Sequence, residues 1–270
     1  GIGTGVIFGI NQKTYDDDKF RPFEEAINDN LDTWLWSNTL YVRGLLNALD
    51  LWYDPSQGYF ASQRFSMIGF HPNEQYRFFK SDTKLEGYLT LWDYPLFSNW
   101  SLKTVLGAHS GYSTLLPWFG ESEPIPSATQ KLRIDGTFIG RGWNDLIGFT
   151  GTTIWENWIE LRTPLVPRVL SLDGFLDIAT VVDDQLGLLD LSGYATGSAV
   201  PIFQAGDGIF NAGLNNFAFS LGWGLRFTIP QFPFRLYFAK RFFHDGSNFA
   251  WVGGSDAPWN FVLSITTPLN

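Results

Sequence analysis

The chain contains no cysteine, which excludes disulfide bridges and thiolate metal sites. Histidines number only three, and no zinc-ligand spacing, nucleotide-binding glycine loop or EF-hand pattern occurs, so neither a metal nor a cofactor is expected. Basic residues are outnumbered, 18 against 27 acidic ones, for a net charge of −9. A phosphate backbone needs a basic patch, so a nucleic-acid partner is excluded. No apolar run approaches the roughly 18 residues of a membrane-spanning helix. No charged-then-apolar leader opens the sequence at Gly1, so a mature chain or a fragment is expected. Internal repeats, low-complexity tracts and an interdomain linker are also missing. A single all-β domain can fill this length.

What the sequence has instead is an even spread of apolar and aromatic residues. Aromatics reach 17% and charged residues only 17%, an odd balance for a soluble enzyme. The apolar residues follow a period of two. In residues 215–229 (NNFAFSLGWGLRFTI) the odd positions Phe217, Phe219, Leu221, Trp223, Leu225, Phe227 and Ile229 are all large and apolar. The even positions between them, Ala218, Ser220, Gly222, Gly224, Arg226 and Thr228, are small or polar. A strand this long exceeds the usual five or six residues and matches the nine to eleven that cross a bilayer at a tilt.

The alternation recurs at 2–10, 170–181 and 259–265, with similar runs near 37–53, 63–72, 84–97, 100–112, 151–164 and 233–244, of which 37–53 and 63–72 alternate poorly. About ten strands result. Residues 20–29 (FRPFEEAIND) are the one candidate helix. Short connections fall near 54–62, 98–99, 164–169 and 230–232, and long ones near 12–36, 73–83, 113–150, 183–214 and 245–257. Short turns at one end and long loops at the other are the layout of an outer-membrane barrel. A soluble β-sandwich also alternates, but its strands are shorter and seldom carry seven large apolar residues on one face. The expected fold is an all-β, transmembrane antiparallel β-barrel.

Small barrels of this size include outer-membrane proteases and phospholipases, so the histidines were weighed as catalytic groups. His109 and Ser110 are sequence neighbours. Neighbours on a strand point to opposite faces and cannot form a nucleophile–base pair. His71, His109 and His244 therefore read as polar lumen or interface residues, with a barrel enzyme as an alternative. The carboxylates say more. Ile159 and Leu161 flank Glu160, and Asp177 alternates with Leu176 and Ile178. If the apolar faces meet lipid, both acids point inward, because a charge in hydrocarbon costs several kcal/mol. Two inward acids on adjacent strands fit an arginine, whose planar fork serves two carboxylates at once. They equally fit a water-filled lumen lined with charge.

Several stretches, taken in order, resemble the C-terminal part of the BamA-type outer-membrane insertase family, whose superfamily also holds TamA and the two-partner secretion pores. Residues 139–143 (Ile139, Gly140, Arg141, Gly142, Trp143) resemble the family's Val-Arg-Gly-Phe/Tyr motif, with Gly140 where valine is usual. Residues 157–165 (NWIELRTPL) and 174–182 (GFLDIATVV) resemble the next two strands. Residues 221–242 (LGWGLRFTIPQFPFRLYFAKRF) resemble the penultimate hairpin. Residues 49–65 are a weaker match to an earlier periplasmic turn.

The resemblance implies an internal loop whose Arg141 pairs with Glu160 and Asp177 in the barrel wall. It implies an outer-membrane location in a Gram-negative envelope and a function in folding and inserting β-barrel clients without enzymatic chemistry. A lateral gate would lie beside a C-terminal strand carrying Trp259, Phe261, Leu263, Ile265, Pro268 and Leu269. Pro268 cannot donate a ladder hydrogen bond and would weaken that seam. The expected partners are outer-membrane lipid, unfolded outer-membrane protein clients and accessory lipoproteins recruited through POTRA domains. Family barrels have sixteen strands, so residues 1–270 are expected to be the C-terminal portion of one, with the early strands and POTRA domains outside this chain. A polypeptide secretion channel or passive pore of the same barrel type is the alternative.

Overall fold

The computed structural model describes residues 1–12, 34–70, 76–97, 100–126, 129–146, 150–167, 169–183, 187–190, 202–204, 214–229, 234–244, 247–254 and 257–265. The candidate helix at 20–29, the turn at 230–232, His71, Pro268 and Leu269 all lie outside the described residues. Among the described residues ten strands carry the wall: β1 (Ile2–Gln12), β2 (Trp34–Asn47), β3 (Gly58–Ile68), β4 (Phe78–Phe97), β5 (Trp100–Leu116), β8 (Thr153–Val166), β9 (Leu170–Asp183), β12 (Ala218–Phe227), β13 (Phe234–His244) and the shorter β15 (Asn260–Ile265). Five short strands belong to the long connections: β6 (Leu132–Arg133), β7 (Thr150–Gly151), β10 (Gly187–Asp190), β11 (Ile202–Gln204) and β14 (Phe249–Trp251). The long strands pair antiparallel in chain order, β1-β2-β3-β4-β5-β8-β9-β12-β13, and β15 closes the series on β13. Among the described residues no helix is long and apolar enough to cross a membrane.

Two compact units divide the chain. One comprises Gly1–Leu45, Ser62–Thr83 and Ser113–Lys131; the other comprises Leu46–Ala61, Lys84–Tyr112 and Leu132–Asn270. In the first, β1 and β2 run in register from Ile2 opposite Gly44 to Gln12 opposite Trp34. Its long connection is tied down where Arg77 and Ile125 exchange backbone hydrogen bonds and Trp118 stacks on Phe79.

The second unit inverts the usual arrangement of a soluble protein. On β12, Ser220 and Arg226 are buried while Trp223 is half exposed. On β8, Glu160 and Arg162 are buried between the exposed Ile159 and Leu161. On β15, Val262 and Ser264 are buried and Phe261, Leu263 and Ile265 are exposed. Polar groups inside and apolar groups outside suit a wall whose outer solvent is hydrocarbon.

Several boundaries differ from those read by pattern. β4 starts at Phe78 rather than 84, although the run 78–83 (FFKSDT) has no clean alternation. There, polar partners take the place of an apolar face: Lys80 pairs with Asp82 at 2.9 Å, and Asp82 accepts from Ser113 Oγ at 2.7 Å. β2 stops at Asn47 rather than 53, because Asp50 folds the following residues into a turn. Trp259 lies just ahead of β15, so the C-terminal strand starts one residue later than expected.

Candidate functional site

Residues 134–146 form a compact loop between β6 and β7. Asp135 starts it, its Oδ1 accepting from the backbone N–H groups of Thr137, Phe138 and Ile139 at 2.8–2.9 Å. The chain then doubles back, with Gly142 N donating to Gly136 O at 2.8 Å. Gly140 and Gly142 both adopt the left-handed region, at φ 64° and 91°. A side chain at either position is strained by that backbone conformation. A Cβ on Gly142 would also stand 3.0 Å from the Ala239 methyl, and one on Gly140 would stand 2.9 Å from Ile134 Cγ2. These two glycines lay the loop against the wall and turn Arg141 inward between them.

Trp143 and Ile139 fix the loop by burial. Trp143 is fully enclosed with Ile134, Leu146, Ile154, Ala179, Val181, Ala218 and Phe243, and Ile139 packs on the edge of that cluster. The indole Nε1–H, which would be costly to bury unpaired, donates to Phe219 O at 2.9 Å.

Arg141 is then delivered to both acids (Asp177 and Glu160). Its Nε and Nη2 donate to Asp177 Oδ2 and Oδ1 at 2.8 and 2.5 Å, a two-pronged pairing. Nη1 donates to Glu160 Oε1 at 2.7 Å, and the Arg141 backbone N–H adds a fourth bond to Asp177 at 3.0 Å. Arg141 lies over the Phe175 ring at 3.6 Å, with Tyr237 at 4.9 Å. Room for those rings comes from β12: Phe175 lies over Gly222 and Tyr237 over Gly224. The Gly-x-Gly of residues 222–224 is thus the floor under the arginine's aromatic seat.

The arginine, both carboxylates and Tyr237 are sealed from water. Burial by itself would lower the guanidinium's pKa, but the charges of Asp177 and Glu160 outweigh it and raise that pKa above the ordinary arginine value. Arg141 is therefore a fixed charge.

The resemblance pairs Arg141 with Glu160 and Asp177, as the structure places them, but the residues that complete the set were not named. Glu160 Oε2 accepts from Arg162 Nε and Nη2 at 2.8 and 2.6 Å. Asp173 forms an ion pair with Arg226 Nε at 2.9 Å and accepts from Tyr237 Oη at 3.2 Å and from Ser171 Oγ at 2.7 Å. Three buried arginines thus face three buried carboxylates. Their signal was present in the alternation: Arg162 is two residues from Glu160, Asp173 is four from Asp177, and Arg226 occupies an even position of β12.

The other candidates are elsewhere. His109 lies between Glu156 and Glu86, at 3.4 and 3.5 Å, and stacks on Trp158. Spacing had suggested no acid partner for it, because Glu86 arrives from a different strand. Ser110 points to the other face and accepts from Trp155 Nε1 at 3.1 Å, so it is no nucleophile for His109. His244 packs edge-on against Phe249.

Residues 5–266 match the Omp85 superfamily domain. A curated protein of Treponema pallidum (strain Nichols), "Putative outer membrane protein assembly factor", is 34% identical over 272 residues, which is 98% of this chain. The chain spans about a third of that relative's length (32%). Among solved structures, BamA from Haemophilus ducreyi lacking POTRA domains 1–3 aligns with 98% of this chain and 51% of its own, at 16% identity and a TM-score of 0.48. With the family domain covering nearly all its residues, the chain belongs to the Omp85 superfamily and is an integral β-barrel protein of the outer membrane.

Proposed function

We propose that residues 1–270 are the C-terminal barrel portion of an outer-membrane protein assembly factor, which folds and inserts β-barrel clients beside its last strand. The observation that carries this reading is the seat of Arg141, a buried internal loop locked onto two adjacent wall strands. It stiffens β8 and β9 behind the seam. Among the described residues β15 ends the series: it pairs with β13 over six residues, and β13 pairs with β14 from Phe242 onward. Unpaired strand edges are normally a liability, and here the edge of β15 would template an incoming strand by β-augmentation. Phe261, Leu263 and Ile265 line the lipid side of that edge, and Trp259 stands just ahead of it. Accessory lipoproteins would be recruited through POTRA domains outside this chain. The work is mechanical and needs neither cofactor nor covalent intermediate.

The test is client folding by the full-length protein in vesicles. Arg141→Ala should abolish assembly of an unfolded outer-membrane protein. Arg141→Lys should restore only part of it, since a point charge cannot span both carboxylates. Normal assembly by the alanine variant would overturn the reading. The charged inward faces of β8, β9 and β12 also suit a secretion channel; a large, steady current in planar bilayers with the 134–146 loop intact would favour that function instead.

A further inference from the structure

The turn between β2 and β3 is built for more than reversing the chain. Two residues suffice to join antiparallel strands, yet this connection runs from 48 to 57 and folds inward. Asp50 organises it, accepting from Ser56 N, Ser56 Oγ and Gln57 N at 2.9, 2.6 and 3.2 Å. The folded turn is then held by strands that are not its own. Thr90 Oγ1 on β4 donates to Ser56 O at 2.9 Å, and Lys103 Nζ on β5 donates to Ser56 Oγ at 2.7 Å. Farthest away, Arg226 Nη2 on β12 donates to Asp54 Oδ1 at 3.0 Å.

β4, β5, β8 and β9 separate β3 from β12 in the sheet order, so the turn reaches across the inward faces of four strands. Against it lies a half-open pocket of about 220 Å³ whose lining includes Asp54, Ser101, Lys103, Arg162, Pro164 and Arg226. The anchor is an arginine already shared with Asp173, so Asp54 completes the pairing of a buried cation.

We propose that residues 48–57 are a strap that shuts the interior at the short-connection end of these strands, latched by Asp54 on Arg226, and that its release admits ions and small solutes from that side. The proposal does not depend on the assembly reading, since a pore or an assembly factor would both need that end controlled.

Residues 1–270 contain no cysteine, so Ser101→Cys places one reporter among them beside the strap, any cysteine elsewhere in the full-length protein being replaced by serine beforehand. Full-length protein carrying Ser101→Cys would be labelled with a polar maleimide and its conductance recorded in planar bilayers, with Asp54 intact, Asp54→Asn and Asp54→Lys. Resistance of the folded band to heat on gels selects variants that fold. Labelling is expected to speed up about tenfold or more without the carboxylate, the scale on which one charge-assisted hydrogen bond biases an opening equilibrium, and open-channel events should become more frequent. Unchanged labelling or unchanged conductance in folded Asp54→Asn protein would overturn the strap. Asp54→Asn removes only one charge, so the test stands even where Asp54→Lys does not fold. Client assembly by Arg141→Ala is a separate measurement, and its outcome leaves this one intact.

Discussion

At Arg141 each of the three guanidinium nitrogens donates to a carboxylate that is itself buried. Truncation to alanine would strand Asp177 as a buried charge and leave Glu160 with Arg162 alone, and breaking a buried pair in this way costs about 3–5 kcal/mol. The urea midpoint of the folded band on gels should fall accordingly, and less for Arg141→Lys. Neighbouring Gly140 explains its own departure from the valine of the resembled motif. At φ 64° a β-branched residue is an outlier, so Gly140→Val should loosen the loop by at least about 1–2 kcal/mol, read by the same midpoint. Both acids were legible as inward-facing because an alternating strand reveals which way each charge points, whereas Arg141 as their partner came from the resemblance to the insertase motif. The partners Arg162, Asp173 and Arg226 were equally marked as inward. Which of them meet depends on strand register, and a period of two says nothing about register.

Among the elements, the β2–β3 turn depends most on a single ionised group. Burial pushes the Asp50 carboxyl up slightly, but its hydrogen bonds from Ser56 and Gln57 outweigh that and hold it below the usual aspartate value. A depressed carboxylate contributes stability above its unfolded pKa of about 3.9 and loses it as pH falls through the folded value. The turn should therefore stay ordered through neutral pH and loosen only in strong acid. Carbon-13 NMR of the Asp50 carboxyl should titrate below about 3.9, and Ser56→Ala should move the midpoint up toward that value. This element was hidden from pattern analysis. Residues 49–53 (LDLWY) alternate well enough to extend β2, and only the Asp50 hydrogen bonds end the strand early. The long strands were read correctly in number because alternation over ten residues is hard to produce otherwise. Their ends were less legible where polar ladders such as Lys80–Asp82 replace the apolar face.

For the whole molecule, the outward residues answer to lipid and the inward ones to each other. Leu161 and Arg162 are adjacent, one exposed and one sealed within the charge network. Leu161→Arg should cost up to about 2–4 kcal/mol if it lies near the bilayer midplane. Folding yield into vesicles should drop for Leu161→Arg and stay high for Leu161→Phe, although both replacements are bulky. A soluble protein would show the opposite tolerance at an exposed position. That inversion, plain in residues 215–229, is also why the fold class could be read without any core being identified.

The seat of Arg141 also sets an order of events. The arginine precedes in sequence every group that receives it: Glu160 on β8, Asp177 and Phe175 on β9, Gly222 and Gly224 beneath the rings, and Tyr237 on β13. A guanidinium entering a half-built wall would find carboxylates still hydrated and no aromatic face to lie against. Capture of the loop is therefore expected to be weak until β8 and β9 have paired and strongest once β13 has docked. In that sense the arginine acts as an inspector of its own wall, holding most firmly where the strands behind it are in place.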